Sequence, residues 1–174
     1  NDNLHGVIEY VISTYPGKKK LVLGHSIGGQ LIGLSKLSSQ VDKIILAAQS
    51  GYWKYWQGAS KIRMWFNWHI LFPTMLHLFG YLPSKKISGM EDLPKNVAKQ
   101  WSGWGKQPNY ILDDPSIEEK FYDQIHAPMT AFSIDDDEFA PKVAADWMAA
   151  RYVNADAKSI HLVPRDFETK KIGH

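Results

Sequence analysis

Apolar residues at Leu4, Val7, Ile8, Val11, Ile12 and Tyr15 recur at spacings of three and four, which predicts an amphipathic helix over residues 3–15. Asn1, Asp2 or Asn3 can cap it, and Pro16-Gly17 ends it. Lys18–Lys20 read as a solvated turn leading into a short apolar strand, Leu21-Val22-Leu23. After a glycine-rich turn, Leu31, Ile32, Leu34 and Leu37 predict a second helix from about Ile27. Two later apolar runs, 43–48 and 128–134, predict further strands, and Lys158–Val163 reads as the last strand. The first of them, Lys43-Ile44-Ile45-Leu46-Ala47-Ala48, suits burial on both faces. Between the last two, Pro141 to Tyr152 read as a helix with Val143, Trp147, Met148 and Tyr152 on one side. Strands alternating with helices predict a parallel sheet of α/β type.

Residues 52–125 break this rhythm. Six of the seven Trp fall between Trp53 and Trp104, and Pro or Gly punctuates the segment from Gly58 to Pro108. It is too long to be a plain loop between two strands, so the chain divides into a core of 1–51 and 126–174 and an insertion of 52–125. Within the insertion, Trp65 to Leu82 is strongly apolar, but Asn67, His69, Pro73, His77 and Gly80 interrupt it. Two short helices fit that pattern better than a membrane span, with contact at a membrane surface as the alternative. The pair Trp101-x-x-Trp104 reads as packing within the same insertion.

Composition narrows the function classes. The 174-residue chain carries a formal charge of +2, without a dense basic run interleaved with aromatics, so no nucleic-acid partner is expected. It has no Cys, which excludes disulfides and thiolate metal sites without fixing a compartment. No G-x-G-x-x-G, Walker or HExxH pattern occurs, so neither a cofactor nor a metal is expected. The chain opens at Asn1 inside a helical pattern, and we expect it to be a piece of a longer protein.

The candidate chemistry lies in Gly24-His25-Ser26-Ile27-Gly28-Gly29, between the Leu21 strand and the second helix. This is G-x-S-x-G in a strand–turn–helix context. Such an elbow holds its serine in a strained conformation with Oγ exposed above the sheet. Gly24 and Gly28 flank Ser26 where a Cβ is expected to collide with the bend. The Ile27 amide, first after the serine, points where an oxyanion would form, and the helix N-terminus adds positive charge there.

Here the chain resembles the α/β-hydrolase superfamily, whose elbow often reads G-H-S-x-G-G as in Gly24–Gly29. The resemblance implies a mostly parallel sheet flanked by helices, with residues 52–125 as a lid inserted after the strand that follows the elbow helix. Trp65 and Trp68 are then candidates to line an acyl pocket. It also implies an earlier strand bearing a second oxyanion donor, which should precede Asn1. Residues 1–174 alone are therefore expected to aggregate and to be inactive, with an open apolar edge on the elbow strand.

A serine hydroxyl needs a general base, and the base needs an acid that fixes its tautomer. In this fold the order is serine, acid, histidine. Asp135-Asp136-Asp137-Glu138 follows the run ending at Ile134. The family's G-x-x-D-x-x-x-P turn, with Pro141 as its proline, selects Asp137. Its glycine would fall at Ile134, so Asp135 stays open as the alternative acid, and Asp136 and Glu138 behind it. Of the seven His, only His174 follows the last strand, in Lys171-Ile172-Gly173-His174, where the family places its base. His161 reads as a packed strand residue and His25 as support for the elbow. The resulting expectation is a Ser26–His174–Asp137 hydrolase of carboxylic esters with a hydrophobic acyl group. The alternatives are an acyltransferase using the same residues and a binding module that keeps the fold without catalysis.

Overall fold

The computed structural model describes residues 2–88 and 91–174. In chain order, α1 (Asp2–Thr14), β1 (Leu21–His25), α2 (Ile27–Leu31) and β2 (Lys43–Ala47) come first. Then follow α3 (Gly58–Phe66), α4 (Phe72–Phe79), β3 (Tyr81–Leu82), α5 (Ser84–Ser88), β4 (Leu93–Pro94) and α6 (Lys95–Lys106). β5 (Met129–Ile134), α7 (Lys142–Ala149) and β6 (Ala157–Leu162) complete the chain. The elements form two units: residues up to Ser50 together with Ile117–His174, and Gly51–Ser116.

The first unit is built on a four-stranded, wholly parallel sheet in the order β1-β2-β5-β6. Its register aligns Leu21 with Lys43, Ile44 with Met129 and Met129 with Ala157. The apolar runs explain which strands are central. Ile44 and Leu46 of β2 are at most 1% exposed, and Met129 and Ala131 of β5 are buried beside them. Among the described residues β1 pairs on one side only, and its Leu21 and Leu23 are 56% and 64% exposed.

The helix after the elbow is shorter than its apolar pattern predicts. α2 spans five residues and gives way to 3-10 turns at Ile32–Leu34 and Lys36–Gln40, with Ser35 extended between them. Gly28, Gly29, Gly33 and Ser35 are poor helix formers. The segment after Ile117 also competes for this stretch. Phe121 N–H donates to the Gly33 carbonyl at 2.7 Å, and the Tyr122 ring lies where a side chain on Gly33 would be. Tyr122 and Tyr152 then donate their hydroxyls to the carbonyls of Gln30 and Gly29. Burial raises both phenols above their ordinary pKa, so they remain donors. These contacts tie residues 117–125, which lie beyond the second unit's limit at Ser116, to the elbow helix.

In the second unit α3 and α4 are joined by a π-helical turn at Asn67–Leu71, so Gly58–Phe79 is one continuous helical run. Pro73, near the start of α4, cannot donate a backbone hydrogen bond, and the wider turn directly before it takes up the mismatch. Gly80 closes the run in the left-handed conformation at φ 72°. The core includes Trp68, 2% exposed, whose indole N–H donates to the Gly51 carbonyl at 3.0 Å. Trp68 meets Phe72 and Trp101 edge-on and lies within 2.5 Å of where a Cβ on Gly105 would be. Asp114 gathers Ser116, Trp104 and Gln100. Partial burial opposes its charge, but those hydrogen bonds prevail and hold its pKa at about 2. No helix among the described residues is long and apolar enough to cross a membrane.

Candidate active site

β1 carries the chain to His25, and Ser26 takes the bend at φ 49° and ψ −127°. A non-glycine residue at positive φ is strained, and surrounding contacts must hold it. Ser26 N–H donates to Ala47 of β2 at 2.8 Å, while its carbonyl accepts from Gly29 and Gln30 at 3.1 and 3.2 Å. The sheet grips one side of the residue and the helix the other.

The glycines divide the work differently from the sequence-based expectation. A Cβ on Gly24 would lie 2.5 Å from the Cα of Gly29. A Cβ on Gly29 would lie 2.6 Å from that of Ala48. Gly28 has nothing within 4 Å of that position and an ordinary φ, so the expected collision there is corrected to Gly29. The reason is orientation: Gly29 faces β1 and β2 on the buried side of α2, whereas Gly28 is exposed.

His174 reaches Ser26 from the far end of the chain. Its Nε2 lies 3.0 Å from Ser26 Oγ, and its Nδ1 lies 2.7 Å from Asp137 Oδ2. The other Asp137 oxygen accepts the backbone N–H groups of Phe139 and Ala140 at 2.8 and 3.0 Å. The Asp137 side chain is 4% exposed and that of His174 25%. Burial pushes the Asp137 carboxyl up. The hydrogen bond to His174, the imidazolium charge and the two backbone N–H groups outweigh it, so Asp137 titrates below its ordinary value. An ionised carboxylate only accepts, so the proton on the imidazole belongs on Nδ1, and Nε2 is left as acceptor for the serine hydroxyl. The His25 and Phe139 rings flank His174 at centroid distances of 4.7 and 5.6 Å.

The remaining acids of the turn serve other contacts. Asp135, the alternative acid, is 63% exposed and lies 3.4 Å from Nε2 of His161, whose Nδ1 is 2.9 Å from Ser133 Oγ. Asp136 accepts the backbone N–H groups of Ile172 and Gly173 at 3.0 and 3.1 Å. It thus fastens the two residues that precede His174, with Gly173 at φ 72° turning the chain. The sequence reading left Asp136 only as a further candidate for the catalytic acid and did not foresee this contact. Ile27 is 43% exposed beside the serine, and α2 is short enough that the first-turn amides, not a long helix dipole, are its electrostatic contribution. Trp65 is 39% exposed on the helical run of the second unit, and Trp68 is buried in that unit's core. No group of three or more His, Cys, Asp or Glu suited to a metal occurs among the described residues.

No protein-family model and no curated protein matches the chain. Solved structures do. An α/β hydrolase domain-containing protein 10 from mouse superposes with a TM-score of 0.57 at 16% identity, covering 98% of this chain and 60% of its own. A monoacylglycerol lipase from Paleococcus ferrophilus superposes with a TM-score of 0.51 at 12% identity, covering 93% of this chain and 65% of its own. The chain has the α/β-hydrolase fold and spans less than two thirds of the length of these two structures.

Proposed function

We propose that this chain carries the nucleophile, base and acid of a serine hydrolase acting on carboxylic esters. The observation that carries the reading is the unbroken relay from Ser26 Oγ through the His174 ring to Asp137. Ser26 Oγ attacks the ester carbonyl while its proton passes to Nε2 of His174. Asp137 holds the ring's tautomer and stabilises the imidazolium. The tetrahedral oxyanion is taken up by the Ile27 amide. Collapse gives the acyl-enzyme, and the alcohol leaves with the proton from Nε2. Water, deprotonated by the same nitrogen, then releases the acid and restores the serine.

A hydrophobic acyl group is the substrate class we assign, from the Trp density between Trp53 and Trp104 within the insertion 52–125, which we read as a lid. Of the two candidate tryptophans, Trp68 is engaged in packing within its own unit, which leaves Trp65 as the one to test for an effect on chain-length preference. The test is hydrolysis of p-nitrophenyl esters of graded chain length by the full-length protein. Turnover lost in Ser26→Ala supports the reading, and equal turnover by wild type and Ser26→Ala opposes it.

A further inference from the structure

The helical run Gly58–Phe79 buries Trp68 and Leu76 but leaves a second apolar stripe facing outward. Ile62, Phe66 and Ile70 follow one another at intervals of four, with Trp65 beside them, and they are 71%, 43%, 41% and 39% exposed in that order. Leu78 and Phe79, 64% and 56% exposed, continue the apolar character into the last turn. Large apolar side chains arrayed in a line are not what a helix presents to water alone.

The charge around the stripe is one-sided. From Lys43 to Met90 the sequence holds no Asp or Glu. On the run and just before it lie Lys54, Lys61 and Arg63, all exposed, whereas beyond it Asp92 accepts the Lys85 backbone N–H at 2.9 Å. Lys61 and Arg63 sit on either side of Ile62, the most exposed residue of the stripe, and Lys54 and Lys61 lie over the Trp53 ring at 5.4 and 5.7 Å.

We propose that this stripe docks on an anionic phospholipid surface, with the helix lying in the headgroup plane. Ile62, Phe66 and Ile70 would enter the upper acyl region, and the flanking cations would meet lipid phosphates and carboxylates. Charge complementarity selects this occupant. A second copy packed through the same stripe offers no Asp or Glu from that stretch to pair with Lys61 and Arg63, which disfavours that contact. The helix lies on the surface and does not span it, in keeping with its interrupted apolar pattern. The proposal is independent of the hydrolase reading, and Ser26→Ala protein is expected to bind vesicles as wild type does.

The test is sedimentation of the full-length protein with two kinds of vesicle: phosphatidylcholine alone, and phosphatidylcholine with about a third phosphatidylserine. Wild type should sediment with the anionic vesicles, roughly tenfold more weakly with phosphatidylcholine alone, and less as salt is raised. Ile62→Ser with Ile70→Ser should lose binding through the apolar face, and Lys61→Gln with Arg63→Gln through the charge. Both pairs alter exposed positions, and unchanged melting curves would verify that they fold. Wild type that stays in the supernatant with anionic vesicles overturns the proposal, as does binding indifferent to both pairs. A dimer that forms without lipid and dissociates in Ile62→Ser with Ile70→Ser would also overturn it, by assigning the stripe to a second copy.

Discussion

Asp136 accepts the backbone N–H of Gly173 at 3.1 Å, across 37 residues of sequence, and so holds the loop that delivers His174. The turn that supplies Asp137 to the ring therefore also anchors the ring's backbone. One rigid segment sets both ends of the Asp137–His174 hydrogen bond. Asp136→Ala should lower kcat by about 10- to 100-fold, the range set by losing charge-assisted bonds of ~1.5–3 kcal/mol, and leave KM little changed. Asp135→Ala, at an exposed carboxylate paired with His161, should have little effect on kcat. Steady-state kinetics on the two variants separate a loop anchor from a merely acidic turn.

The Asp137 carboxyl titrates below its unfolded value, and the sign of its effect on stability follows. A depressed carboxylate stabilises the fold above the unfolded pKa of about 3.9, and that contribution disappears as pH falls through the lower folded value. Asp137→Asn should therefore flatten the acid limb of a melting-temperature profile below about pH 4. At neutral pH the same variant should lose about 10⁴ in kcat, because an amide no longer fixes the proton on Nδ1. An acid limb identical to wild type would contradict the ionised buried carboxylate.

The elbow glycines offer a contrast within five residues. Gly24→Ala would set a Cβ 2.5 Å from the backbone of Gly29, where no side chain can swing aside. It should destabilise the protein by roughly 1–3 kcal/mol or more. Gly28→Ala meets open space at an ordinary φ and should be within about 0.5 kcal/mol of wild type in stability. Thermal melts of the two variants read this difference directly.

Three of the four parallel strands were legible as apolar runs bounded by turn residues, whereas the last, at 158–163, mixes Lys158, Ser159 and His161 with apolar positions. The tight strand–turn–helix at Ser26 was legible from its glycines. Pro141 picked out Asp137 in a run of four acids, and Asp137 is the acid the fold sets against His174. What the sequence hid depends on contacts between distant segments. Which glycine touches the sheet is decided by how α2 lies on Ala48, which no local pattern encodes. The early end of α2 depends on Phe121 and Tyr122 claiming its carbonyl and glycine surface from some 90 residues away. Asp136 was hidden for the same reason, since its partners are two backbone amides near the far end of the chain. Trp65 and Trp68 looked alike in the pattern, yet Trp65 is 39% exposed and Trp68, in the π-turn, is 2% exposed.

The most direct test of the central claim is covalent labelling of the full-length protein by a fluorophosphonate, followed by mapping of the modified residue. The account predicts a single adduct on Ser26, absent in Ser26→Ala and formed far more slowly in His174→Ala, because Nε2 at 3.0 Å is what draws off the hydroxyl proton. Labelling that persists in Ser26→Ala, or a folded wild type that takes up no label, would contradict it.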